Sequence, residues 1–217
     1  MNSSIKLLLV LLISLEVSFT HSLSANLILI AAGLIYLLIH KISTKALLFL
    51  TAIPFLPALG LFVTIYYYSP GQDLHFAFVL FTRMYVYVTV GAGFTMTSSP
   101  LDLALSLEQN WHLPSKFAYG SLAAFNMLPK IKTAVITIRT AGLMRGVVLS
   151  WWSPQLYFKA ILVALNWSEN LAQAMISHGF VEDQPRTFYR QIKITAWDYS
   201  WLAGLLLLVQ LPIWLLP

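Results

Sequence analysis

The chain of 217 residues contains no cysteine and few charged residues. Without cysteine, disulfides, thiolate nucleophiles and thiolate metal sites are excluded. Charged residues make up only 10% of the chain, whereas a soluble domain has about 25%. Hydrophobic residues make up 59%, which is more apolar surface than a soluble core could hide. The composition therefore predicts an integral membrane protein.

The sequence also lacks the short motifs of common enzymes. No H-E-x-x-H, G-x-S-x-G or P-loop pattern occurs, and no aspartate pair lies inside an apolar run. No nucleic-acid recognition motif accompanies the basic residues. The five histidines are too scattered to predict a metal site: His21, His40, His75, His112 and His178. We expect a chain that is not an enzyme and binds no metal, cofactor or nucleic acid.

Five apolar runs predict about five transmembrane helices in an all-α fold, at residues 5–20, 26–39, 46–68, 74–96 and 197–216. The last three have close to the roughly 20 residues that cross a bilayer. The first two are shorter, so we expect a helical hairpin with THSLSAN as its turn. No clean cleavage site follows the first run, which predicts a retained helix rather than a signal peptide. Pro54 and Pro57 should kink or break the third helix.

The distribution of basic residues predicts the topology. Residues 98–195 hold nine of the thirteen lysines and arginines, and the turn at Lys41 and Lys45 is also basic. The positive-inside rule places both segments and the N-terminus in the cytoplasm, and the Asp73 turn outside. We therefore expect a multi-pass protein of the plasma membrane, in which basic residues also meet anionic lipid headgroups.

Residues 98–195 differ from the apolar runs on either side, residues 1–97 and 196–217. Ser99, Pro100 and Asp102 are typical of a helix start. A long helix with Pro129 inside it should follow and end at Met144, and another should run from Ser153 and Pro154 to about residue 178. These helices are less apolar and predict a long cytoplasmic region. Each ends at a glycine for which we expect the left-handed conformation, namely Gly146 and Gly179.

Two charges, Arg83 and Glu16, fall inside the apolar runs. Exposing Arg83 to lipid costs on the order of 2.5–3.5 kcal/mol or more, so it should face protein, with a carboxylate or carbonyls as its partner. Asp73 is too distant, and Glu16 is a candidate unless it reaches the outer interface. We interpret Arg83 as a structural clamp between helices, with a gate or solute site as the alternative.

The two long helices of residues 98–195 end alike. One ends in Met144, Arg145 and Gly146, and the other in Ser177, His178 and Gly179. An arginine in the last turn of a helix is favoured by the macrodipole alone, by about 0.3–1 kcal/mol. Because both ends share a methionine, a polar residue, a glycine and a following apolar residue, we interpret them as a pair of docking sites for another protein.

These motifs resemble those of the transmembrane T component of energy-coupling factor (ECF) transporters, the EcfT/CbiQ family. That family carries two X-Arg-Gly motifs on long cytoplasmic coupling helices, and MRG and SHG match them in frame. TSSPLDLALSLEQNWHLP, FNMLPKIKTAVITIRTAGLMRG and RTFYRQIKITAWDYSWL are also similar to family segments. The resemblance covers about residues 97–201. It departs from the family at His178, where arginine is usual, and at Asn166 and Trp167, where a basic pair is frequent.

The resemblance implies a coupling subunit that is not an enzyme and does not bind the solute itself. It implies two cytoplasmic P-loop ATPase subunits that hold the ATP and contact the two motifs. It also implies a membrane S component that binds a vitamin, cobalt or nickel. The alternative is a self-contained channel or secondary transporter, which requires polar residues converging at the bilayer midplane. Only Arg83 and the prolines of the third run hint at that alternative.

Overall fold

The computed structural model describes residues 1–68, 73–182, 184 and 187–215. Within these ranges the chain forms eight α-helices and no β-strand. They are α1 (Ser3–Phe19), α2 (Leu23–Ile39), α3 (Thr44–Tyr68), α4 (Leu74–Thr97), α5 (Pro100–Trp111), α6 (Ser115–Met144), α7 (Pro154–Ser177) and α8 (Ala196–Leu215). The helices belong to two compact units. The first is formed by Met1–Ser106 with Ile192–Pro217, and the second by Leu107–Gln191.

The core of the first unit is formed by α1, α2, α4 and α8. Their buried side chains form one apolar cluster of Ile13, Val17, Leu29, Val86 and Val209. Each buried aliphatic side chain of this kind stabilises a fold in water by about 1.5–3 kcal/mol. Between helices in lipid, close packing supplies the stabilisation instead, since the acyl chains are as apolar as the side chains.

Helices α2 and α4 of this unit approach each other closely at a glycine. A Cβ atom placed on Gly33 would lie 3.0 Å from the Cβ of Thr89, so no larger residue fits without movement. Nearby, the amide Nδ2 of the fully buried Asn26 donates to the carbonyl of Val79 and to the hydroxyl of Thr82, each at 3.1 Å. Small residues and interhelical hydrogen bonds are what hold helices together in a bilayer.

A polar contact joins the two ends of the first unit's sequence. Asp198, in the first turn of α8, accepts a hydrogen bond from the backbone N–H of Asn2 at 3.1 Å. Its second carboxylate oxygen accepts from the N–H of Thr195, also at 3.1 Å. Lys6 on α1 donates to the carbonyl of Thr97 at the end of α4. These contacts fix α1 against α4 and α8.

Helix α3 is continuous through Pro54 and Pro57. The sequence predicted either a kink or a break at these prolines, and the predicted break is wrong. Each proline removes one N–H, which leaves the carbonyls of the residues four positions earlier without their helical donors. The adjacent carbonyl of Thr51 accepts from the hydroxyl of Tyr85 on α4 at 3.2 Å. Aromatic contacts such as Phe62 with Phe78 add to this packing. The contacts with α4 hold α3 together across the two prolines.

Two of the described helices, Thr44–Tyr68 and Leu74–Thr97, are long and apolar enough to cross a bilayer. Leu23–Ile39 and Ala196–Leu211 are apolar but shorter. The predicted hairpin turn THSLSAN is too long, because Ser22 caps α2 by accepting from the N–H of Ala25 at 3.3 Å. The helix therefore starts at Leu23, three residues before the predicted run.

In the second unit, α6 and α7 form an antiparallel pair. Val135 of α6 forms one buried apolar cluster with Leu156 and Ala160, which lie in the first half of α7. At the other end, the ring of Tyr119 lies edge-on to Phe180, with centroids 6.3 Å apart. The start of α6 therefore lies beside the end of α7.

Candidate functional site

The ends of α6 and α7 have the same backbone geometry. At the end of α6, the N–H of Gly146 donates to the carbonyl of Leu143 at 3.0 Å, and the next N–H reaches Gly142 at 2.9 Å. At the end of α7, Gly179 donates to Ile176 and Phe180 to Met175, both at 2.9 Å. These bonds define a Schellman motif, which requires a left-handed residue after the cap.

Both glycines adopt the predicted left-handed conformation, with φ of +74° at Gly146 and +84° at Gly179. A Cβ atom added to either residue would meet no other atom within 4 Å. The glycines are therefore favoured by the backbone conformation and not by packing inside the chain. The end of α2 makes the same bonds with Lys41 at φ +52°. The bond pattern alone therefore does not mark a docking site.

Both glycine-terminated ends are accessible, as binding to another protein requires, and they share this accessibility with the end of α2. We call Met144, Arg145 and Gly146 the first tip, and Ser177, His178 and Gly179 the second tip. All six residues are exposed, and the side chain of Met144 is 89% exposed. An exposed methionine offers a flexible, polarizable side chain that can adapt to a partner's surface.

The antiparallel packing places the two tips at opposite ends of the α6–α7 pair. The second tip lies by Tyr119 near the start of α6, since Phe180 contacts that ring. The first tip ends the same helix, 26 residues further on. At 1.5 Å per residue the tips are about 40 Å apart along α6.

The spacing of the tips is fixed by a small core. Leu156 is fully buried, and Leu149, in the loop after the first tip, is 2% exposed in the same cluster. A Cβ atom added to Gly142 would lie 3.0 Å from Leu149 and from the carbonyl of Val147, so that loop packs directly on α6. Sequence reasoning missed Gly142 and Leu149, for which no local pattern signals a tertiary contact.

A groove of about 960 Å³ adjoins the second tip. Tyr119, Met127 and Lys130 of α6 line one side, and Met175 and His178 line the other. Lys116 forms an ion pair with Glu182 in the segment that follows α7. The second tip therefore combines an imidazole with an adaptable, methionine-containing surface. The first tip presents an arginine.

The intramembrane Arg83 pairs with a carbonyl and not with Glu16. Its Nη2 donates to the backbone oxygen of Thr20, the residue after α1, at 2.5 Å. Arg83 and Glu16, both half-buried, form no ion pair within 4.0 Å, while the Nε of Arg83 is buried without a partner among the described residues. The guanidinium therefore binds the negative end of the α1 dipole.

Replacing Arg83 with leucine is expected to lower the stability of the chain by about 1–3 kcal/mol, because the buried Thr20 carbonyl loses its donor. Thermal unfolding of the purified chain in detergent measures this loss. Arg83→Lys is the control, since it keeps a cation and a donor. Normal stability and normal complex yield with lost transport would contradict the clamp and favour a gate.

Among the described residues, no group of three or more histidine, aspartate or glutamate side chains lies close enough to hold a metal ion. The predicted site residues therefore fall into two places. Arg83 lies within the first unit, and the two tips lie on the second.

The fold defines an all-helical membrane protein whose second unit contains a packed pair of long helices. The family model of cobalt transport proteins (CbiQ) matches residues 1–189, and the chain belongs to that family. A comparison with curated proteins finds no match. Membership confirms the predicted family and makes the chain a component of membrane transport.

Proposed function

We propose that the chain is the transmembrane coupling subunit of an ECF-type importer. In this role it is not an enzyme and binds no cofactor, because ATP is held by two separate cytoplasmic P-loop ATPase subunits. A membrane S component binds the solute, either a vitamin or a metal ion such as cobalt or nickel. The chain transmits motion between the ATPases and the S component.

The observation that carries the proposal is the pair of exposed tips at opposite ends of one packed helix pair. Each tip has the same Schellman end and a polar side chain at its cap residue, Arg145 or His178. Two like sites about 40 Å apart suit two like partners. If the ATPases move on binding ATP, a stiff pair of helices carries that displacement without absorbing it.

The chemistry of the first tip favours an acidic partner surface. The side chain of Arg145 is exposed and forms no ion pair with any described residue. A guanidinium has a rigid fork of donors that pairs with carboxylates in a bidentate manner. His178 offers at most two ring donors. The two tips therefore bind through the same backbone shape, with the stronger charge at the first.

The direct test is purification of the tagged full-length chain from its native host. Two P-loop ATPases should co-purify with it, and solute uptake in vesicles should require them. Uptake by the reconstituted chain alone, without ATPases, would support the self-contained channel or secondary transporter instead.

The proposed orientation places residues 98–195 in the cytoplasm of a plasma-membrane protein. Single cysteines are informative because the chain has none. We expect a membrane-impermeant maleimide to label a cysteine at position 73 in intact cells. Cysteines replacing Ser115 or Gln184 should react only after the cells are opened. Labelling of position 115 or 184 from outside would contradict this orientation and the coupling role with it.

A further inference from the structure

The first half of α7 is apolar on two opposite sides. Leu156 and Ala160 are buried towards α6. On the side facing away, Phe158, Ile161 and Leu165 are 57–64% exposed. Their spacing of three and four residues places them on one face of the helix. A helix that is apolar all round belongs in a core or in a membrane. Among the residues of the second unit that the structure describes, none covers this outer face.

The loop before α7 extends this apolar surface. Leu149 anchors the loop in the core, and Trp151 stacks on the guanidinium of Arg139 at 4.6 Å. The neighbouring Trp152 is 92% exposed. Tryptophan is enriched where a protein meets the headgroup layer of a bilayer, because its ring is apolar and its N–H needs a polar partner. We call Trp152, Phe158, Ile161 and Leu165 the α7 outer surface.

The charged residues between positions 109 and 168 are all basic, and the acidic Glu169 marks the end of this surface one turn after Leu165. No aspartate or glutamate occurs between Glu108 and Glu169. Arg139 forms no ion pair among the described residues, and Lys159 lies exposed on α7 beside the apolar face. An apolar face with tryptophan and flanked by lysine and arginine fits an interface of anionic lipid. It does not fit a basic protein surface.

We propose that the α7 outer surface lies in the headgroup layer of the cytoplasmic leaflet, where Arg139 and Lys159 contact anionic lipid phosphates. This inference rests on the cytoplasmic orientation of residues 98–195 in the proposed function, but it does not require the ATPases. Beyond Glu169 the exposed residues of α7 are the polar Asn170, Gln173 and Ser177, two alanines and Ile176, so no bulky apolar stripe continues. The lipid contact therefore ends before the second tip, which stays free in water.

The test uses the full chain reconstituted in vesicles of phosphatidylcholine with phosphatidylglycerol. A spin label on Ile161→Cys should collide several-fold more often with oxygen, which dissolves in lipid, than with a water-soluble nickel complex. The matched control, a label on Ser177→Cys at the second tip, should show the reverse preference. Adding Trp152→Ala to the Ile161→Cys chain should reduce the preference for oxygen.

Three outcomes would overturn the proposal. A label at position 161 with the nickel accessibility of position 177 would place the surface in water. A label shielded from both reagents would show that protein covers it. The contact with anionic lipid would be excluded if the label at position 161 showed the same oxygen preference in vesicles of phosphatidylcholine alone and if Arg139→Gln with Lys159→Gln left that preference unchanged. Failure to capture ATPases would affect none of these measurements, so the two proposals fail separately.

Discussion

We expect Arg145→Ala to weaken binding of the ATPases by about 2–5 kcal/mol if its charge pair is buried in the complex. The substitution should leave the chain itself intact. Both hydrogen bonds of the helix end are made by backbone atoms, and the side chain of Arg145 is exposed and forms no ion pair with any described residue. The lost affinity therefore measures contact with the partner and not a damaged helix.

The second tip supplies the matched controls for this measurement. His178→Ala should weaken capture less than Arg145→Ala, because an imidazole has no bidentate fork. His178→Arg should be tolerated or should tighten the complex. Loss of either tip should abolish uptake while the isolated ATPases stay active. Quantitative pull-down and uptake for the three variants decide the matter. Full uptake by the Arg145→Ala, His178→Ala double variant would leave only a helix-capping role.

Leu156→Ala is expected to abolish uptake while the ATPases still bind. Leu156 is fully buried between α6 and α7, where it packs with Val135 and Leu149. Its side chain therefore cannot contact an ATPase directly. Removing a buried leucine side chain down to alanine costs about 2–5 kcal/mol in packing and cavity terms. Both tips survive, but the pair that separates them loosens, and the displacement of one tip no longer reaches the other.

The control for this variant is Ile136→Ala, because Ile136 lies on the same helix and is 57% exposed. It should change neither thermal stability nor transport. Leu156→Ala is then compared by thermal unfolding, ATPase pull-down and the number of ATP molecules hydrolysed per solute imported. Normal uptake by a chain with a clearly lowered unfolding temperature would show that coupling does not depend on the stiffness of this pair.

The helix ends within residues 98–195 followed from local sequence signals. Ser99 accepts from the N–H of Asp102 at 3.0 Å, as the predicted helix start requires. Pro154 begins α7, and Gly146 and Gly179 take the left-handed conformation. These signals succeed because caps and left-handed glycines depend on the few residues around them.

The features that sequence reasoning missed depend on tertiary contacts. Every residue carries a backbone carbonyl, so no pattern names Thr20 as the acceptor for Arg83. The opposed placement of the tips depends on α6 and α7 packing antiparallel, which periodicity does not specify. The two motifs 33 residues apart could equally have ended side by side. The contact between Leu149 and Gly142 likewise depends on how the loop after α6 folds back onto that helix, which the sequence does not specify.

The bond between Asn2 and Asp198 joins residues 196 positions apart, and this has a consequence for biogenesis. At about 5–20 residues per second, Asp198 is made roughly 10–40 s after Asn2. Until then α1 has no α8 to pack against, and the backbone N–H of Asn2 lacks its acceptor. Contacts of such long sequence separation form late and slowly. The newborn chain is therefore open to quality-control proteases until α8 inserts.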